Sequence, residues 1–91
     1  MKDFEKKLIE QTRLTRREAD VLAVLAAFPE ENLIYERGSA YMGTTRISAR
    51  VVFSLIRKIL ISLDSGMVEK VEYYRVNGTG LAVLRRHWGI T

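Results

Sequence analysis

Between Arg37 and Leu63 the chain has no carboxylate, yet it carries Arg37, Arg46, Arg50, Arg57 and Lys58. A guanidinium holds five N–H donors in a rigid plane and stays charged at physiological pH. A row of them suits phosphate oxygens and, inside a groove, base edges. It does not suit proton transfer, which needs a group that titrates near neutrality. Groups of that kind are thinly spread. His87 is the only histidine and sits beside Arg86, while Asp3, Asp20 and Asp64 are scattered and cysteine is missing. Gly78 and Gly80 have the spacing of turn residues, not of a nucleotide fingerprint. No enzyme activity, metal site or cofactor is expected.

The arginines need an element to present them. Ser48 is a natural N-cap, and the apolar spacing after it predicts a helix of about 46–64 (from Arg46 only if it starts early). At 100° per residue, Val52, Leu55, Ile56, Ile59 and Leu63 gather on one face, and Arg46, Arg50, Phe53, Ser54 and Arg57 on the other. Arg50, Ser54 and Arg57 are expected to face bases. Thr44, Thr45, Arg46 and Lys58, with the amides at the helix start, are expected to face phosphates. Lys70 and Arg75 flank the hairpin expected next and would add backbone contacts. Phe53 could touch a thymine methyl, but packing under the preceding helix is preferred.

Other elements frame this helix. Phe4, Leu8 and Ile9 mark an amphipathic helix over residues 3–12, a candidate dimerisation element within residues 1–13. Thr15-Arg16-Arg17-Glu18 is a capping box opening a helix to about Ala27, with Val21, Leu22, Leu25 and Phe28 as its core stripe and Pro29 at its end. Leu33-Ile34-Tyr35 reads as a strand or a helical turn, and a short helix is expected near 36–43, stopped by Gly43. Ser65-Gly66 would close the long helix, and Met67–Val71 would begin a strand, with one of Tyr73 and Tyr74 in the core. Asn77-Gly78 is either a hairpin turn or the cap of a last helix in which Leu81, Leu84 and Trp88 share a face.

Ninety-one residues make a single domain, 1–91, and one this small buries only roughly 60% of its unfolded surface. A second subunit would help. Residues 1–45 hold seven Lys/Arg against eight Asp/Glu, and residues 46–91 hold eight against three. The second half is therefore the candidate anion-binding half. No apolar run approaches the roughly 20 residues of a membrane span, and the first residues lack a signal-peptide core. The expected location is intracellular, in the cytoplasm.

Two segments resemble winged helix-turn-helix regulators of the MarR and PadR kind. Leu63-Asp64-Ser65-Gly66-Met67-Val68-Glu69-Lys70 resembles the exit from their recognition helix. Tyr74-Arg75-Val76-Asn77-Gly78-Thr79-Gly80-Leu81-Ala82-Val83-Leu84 resembles the run that caps and builds their last helix, with Val76 and Asn77 at its leucine and threonine. Leu14-Thr15-Arg16-Arg17-Glu18 is also similar to the opening of LuxR-type and sigma-factor DNA-binding domains, which normally lack a strand and terminal helix like those expected after Gly66. The winged-helix resemblance implies an α+β, mostly helical fold with a short β-hairpin wing, tight around Val71-Glu72-Tyr73, and an Asn77 helix cap. It implies a homodimeric transcription regulator binding double-stranded DNA sequence-specifically. A protein-interaction winged helix and a DNA-coating architectural protein are the alternatives.

Overall fold

The computed structural model describes residues 3–28, 30–64 and 70–89. In chain order they form α1 (Asp3–Gln11), α2 (Arg16–Ala27), β1 (Leu33–Glu36), β2 (Ser39–Met42), β3 (Thr45–Ile47), α3 (Ala49–Arg57), β4 (Ile61–Leu63), β5 (Val71–Val76) and α4 (Gly78–His87). The strands make one antiparallel sheet in the order β3-β2-β1-β5-β4. The protein is α+β as expected. Helix occupies only about half of the described residues, not most of them.

Register decides which strand residues enter the core. Leu33 pairs with Met42 and Tyr74, and Tyr35 with Ala40 and Glu72. Ile61 pairs with Val76. Successive side chains alternate across a strand, so all of these share one face. Every buried strand residue (Leu33, Ala40, Ile61 and Tyr74) lies there. The helices complete the core with Leu22, Leu25, Val52, Leu55, Val83 and Leu84. Each such side chain contributes about 1.5–3 kcal/mol through burial. α1 lies outside, against α4, with Leu8 and Ile9 half-buried. Burial, the hydrogen bond to the Glu72 carboxylate and the charges of Glu72 and Tyr35 push the Tyr74 hydroxyl up to about 12.

Thr15 and Asn77 form side-chain caps, whereas Ser48 holds the N-cap position without a cap hydrogen bond. Glu18 N donates to Thr15 Oγ1 at 3.2 Å, and Thr15 N donates to Glu18 Oε1 at 2.8 Å. Gly80 N donates to Asn77 Oδ1 at 2.8 Å, and Gly78 opens α4, so Asn77-Gly78 is not a hairpin turn. The Asn77 amide also donates to the Ile59 carbonyl and to Ser62 Oγ, both at 3.0 Å, tying α4 to β4.

Three expected elements differ, each for a local reason. The helix near 36–43 is absent. Arg37-Gly38 and Gly43-Thr44 are two-residue hairpin turns, with φ of 49° at Arg37, 80° at Gly38 and 61° at Gly43. Positive φ suits such turns as well as it suits a helix end. Three strands therefore stand between α2 and α3, and no short turn joins those helices.

The long helix of 46–64 is the second difference. Thr45, Arg46 and Ile47 form β3, and α3 ends at Arg57 with Lys58 as its C-cap. Leu60 N donates to the Leu55 carbonyl and Ile59 N to the Ile56 carbonyl, both at 3.0 Å. These two bonds form a Schellman motif, whose left-handed residue is usually glycine. Here Ile59 takes it, at φ 60°. With isoleucine in that place the sequence carries no stop signal, and its apolar period continues past the helix end. Ile59 and Leu63 are in fact 55% and 52% exposed.

The third is the tight hairpin at Val71-Glu72-Tyr73. β5 runs straight through these residues, and residues 64–70 join it to β4. Pro29, Ser65, Gly66 and Met67–Glu69, assigned by sequence to helix ends and a strand start, lie outside the described residues. Phe28 leaves the expected core stripe of α2 and is exposed, and of the face shared by Leu81, Leu84 and Trp88 only Leu84 is buried, with Val83 and Gly80 beside it on the inner side of α4.

Ile59→Gly should raise stability by about 1 kcal/mol in urea titration, because it removes left-handed strain and costs little burial. Gly80→Ala should have the opposite sign. A Cβ there would overlap the Leu60 carbonyl oxygen and the Val76 side chain, with an expected loss of about 3 kcal/mol.

Candidate nucleic-acid interface

Among the described residues one buried carboxylate holds the basic helix in place. Glu18 is 1% exposed. Besides its capping role it accepts from Lys58 Nζ on Oε1 at 2.8 Å and from Ser54 Oγ on Oε2 at 2.7 Å. Lys58 Nζ also donates to the Arg13 carbonyl at 2.8 Å. One side chain thus joins the start of α2 to the last two turns of α3. Burial pushes the Glu18 carboxyl up. The hydrogen bonds from Lys58, Thr15 and Ser54 and the charge of Lys58 outweigh it, so the group titrates below its usual 4.5.

This network takes two of the residues expected to contact nucleic acid. Ser54 and Lys58 are half-buried and turned inward onto Glu18. What remains outward on α3 is Arg50, Phe53 and Arg57. Phe53 packs against Tyr35 of β1, edge to face with ring centroids 5.4 Å apart, and not under the preceding helix. It is still 47% exposed.

The other expected residues lie elsewhere. Thr44 is in the turn between β2 and β3, and Thr45 and Arg46 are on β3, all exposed. Lys70 precedes β5 and Arg75 lies on it, both exposed. Arg46 and Arg75 project from the sheet face that turns away from the helices. The four arginines among the expected residues therefore fall on two surfaces, Arg50 and Arg57 on α3 and Arg46 and Arg75 on the sheet. Among the described residues none of these arginines is in a salt bridge.

A residue not singled out from the sequence joins the helical surface. Arg17 lines a cleft of about 470 Å³ with Thr15, Ser48, Arg50, Val51 and Ser54, and Glu18 at its base. The cleft lies where α2 and α3 both begin. Ser48 holds the N-cap position of α3, but its hydroxyl caps nothing. In sequence, Arg16-Arg17 is read only as the middle of the capping box. Only the packing of α2 on α3 sets Arg17 near Arg50.

No protein-family model, curated protein or solved structure matches this chain. No helix among the described residues is long and apolar enough to cross a membrane.

Folding favours ionised Glu18. Its contribution is complete above about pH 4.5 and should be lost as pH falls through the lowered folded value. Denaturant midpoints between pH 6 and 3 should therefore drop, and Glu18→Gln should flatten that drop. Lys58→Ala should cost about 2–3 kcal/mol by the same titration at pH 7, since it strips a buried carboxylate of its cation.

Proposed function

We propose that this chain is a small intracellular regulator that binds double-stranded DNA through α3. The observation that carries the reading is the outer face of that helix. Arg50 and Arg57 are two turns apart on one side, exposed, and unpaired among the described residues, with exposed Phe53 between them. Seven residues of helix rise about 10.5 Å. That separation lets two guanidiniums reach different base pairs of a major groove, each able to donate two bonds to a guanine.

The remaining parts have supporting roles. Glu18, Ser54 and Lys58 fix the helix, so its arginines meet DNA from a rigid base. Arg17, with the uncapped start of α3, offers donors to a phosphate, and Thr44 and Thr45 lie just upstream in the chain. Arg50, Arg57 and Arg17 would thus split base reading from phosphate anchoring.

A variant winged helix is part of the same reading. α2, β1, α3, β4 and β5 succeed one another in that order, and β1, β5 and β4 are neighbours. In this variant β2 and β3 take the place of the helix before the reading helix. In chain order the wing of this variant falls between β4 and β5, with Lys70 just before β5.

A nine-residue helix reads few base pairs, so a homodimer on a pseudo-palindromic site belongs to the proposal. Phe4 and Trp88, 72% and 54% exposed on the packed pair α1 and α4, support such an interface.

Fluorescence anisotropy on a labelled mixed-sequence duplex tests the reading. Affinity should fall steeply with salt, with a log–log slope of about −0.9 per phosphate neutralised. Arg50→Ala and Arg57→Ala should each cost about 1–3 kcal/mol on a selected site and less on random duplex. Absence of duplex binding at low salt would overturn the proposal and leave the arginines to an acidic protein partner.

A further inference from the structure

We infer that the uncovered face of the sheet is a second site, one that takes the unpaired bases of single-stranded nucleic acid. This inference does not rest on α3, which lies on the other side of the sheet.

Cross-strand pairing sets the composition of this face. Arg46 pairs with Tyr41, Tyr41 with Ile34, and Ile34 with Tyr73. The four residues form one row across β3, β2, β1 and β5. In the adjoining row Arg75 pairs with Ser62. On the far side Glu36 pairs with Ser39 and Val71. None of these residues is buried, whereas the opposite face supplies all four buried strand residues. Tyr41, at 36% exposure, keeps much of its ring in solvent on a strand whose neighbour Ala40 is fully buried.

The pattern favours bases over other occupants. Strands lie about 4.8 Å apart, so Tyr41 and Tyr73, separated by β1, stand about 10 Å apart. Each ring can take its own base, with Ile34 as the apolar floor between them. Stacking of this kind tolerates any base, because every base has a π face. It needs unpaired bases, since those of a duplex are already stacked on each other. Arg46 at one end of the row and Arg75 beside Tyr73 are unpaired among the described residues and can hold the backbone of a strand crossing the sheet. Two carboxylates lie nearby. Asp64 accepts from the Asn32 side-chain amide at 3.2 Å and keeps its charge, so the two carboxylates face the two guanidiniums and the rings of Tyr41 and Tyr73 carry the recognition. Arg46 and Arg75 belong to the half of the chain that holds eight Lys/Arg against three Asp/Glu, which draws a polyanion.

The experiment titrates a fluorescein-labelled twelve-residue oligothymidylate and, separately, a labelled duplex onto the whole chain. Tyr41→Ala and Tyr73→Ala should each weaken oligothymidylate binding about tenfold and leave duplex affinity unchanged. Tyr41→Phe and Tyr73→Phe should retain it, because the ring and not the hydroxyl stacks, and thermal melts of all four variants confirm folding. Arg50→Ala should weaken duplex binding without affecting the oligothymidylate, so each reading can fail alone. The inference is overturned by no oligothymidylate binding at low salt, or by binding that survives both alanine variants and falls with Arg50→Ala. It is equally overturned if sedimentation shows a dimer that Tyr41→Ala dissociates and oligothymidylate does not displace.

Discussion

A buried carboxylate is admissible only when its oxygens are satisfied and its charge is answered. Glu18 meets both conditions with three donors: the amide of its own cap residue Thr15, the Ser54 hydroxyl and the Lys58 ammonium. The remainder of the helical side depends on that requirement. α3 must approach the first turn of α2 at one height and rotation, because Ser54 and Lys58 reach Glu18 only there. The rotation turns Val52 and Leu55 into the core and leaves Arg50 and Arg57 outward. A buried ion pair is a weak source of stability, but it specifies one packing over its neighbours. Here it orients the surface with the most unpaired guanidinium.

A second constraint sits at the far end of α3. The chain must reverse there to place Ile61 in the sheet, and it does so through a left-handed residue that has a branched β-carbon. Ile59 holds that conformation because its backbone is bonded from both sides, to Ile56 within the helix and to the Asn77 side chain across β4. Asn77 therefore does two things. It caps α4 and it locks the exit of α3. Gly80 lets α4 lie against the Leu60 carbonyl, which closes the same corner. The strained turn, the cap and the glycine form one joint between the helix that carries the arginines and the sheet behind it.

The sheet then divides the protein electrostatically and chemically. One face meets the helices and supplies the buried strand residues Leu33, Ala40, Ile61 and Tyr74. The other supplies none of the buried strand residues and shows tyrosine, isoleucine and arginine. With α3 on the first side and Arg46 and Arg75 on the second, the positive charge of the second half of the chain is not one patch. A polyanion could meet it in two ways, along a helix or across a row of rings.

Much local chemistry was legible in the sequence where a side chain acts on its own neighbourhood, although the hydroxyl of Ser48 caps nothing. The Thr15–Glu18 box and the Val21, Leu22 and Leu25 stripe of α2 depend on spacing of four residues or fewer, or on a period that one element supplies, whereas spacing left Asn77 between cap and hairpin turn and the core tyrosine between Tyr73 and Tyr74. The α+β class and the outward Arg50 and Arg57 were legible for the same reason. The rest needed contacts that spacing does not encode. Arg37-Gly38 and Gly43-Thr44 make two hairpins because β1 finds β5 some forty residues away, and a left-handed glycine alone does not say which element it ends. α3 stops at Arg57 because Asn77 and the sheet hold Ile59 in a conformation its own side chain disfavours. Ser54 and Lys58 turn inward because Glu18, on another helix, lies within reach. Arg46 left the helix for an edge strand and joined Tyr41, Ile34 and Tyr73 through pairing across three strands. Sequence alone settled what each residue can bond to nearby; tertiary structure decided which residues share a surface, because that depends on packing between elements distant in the chain.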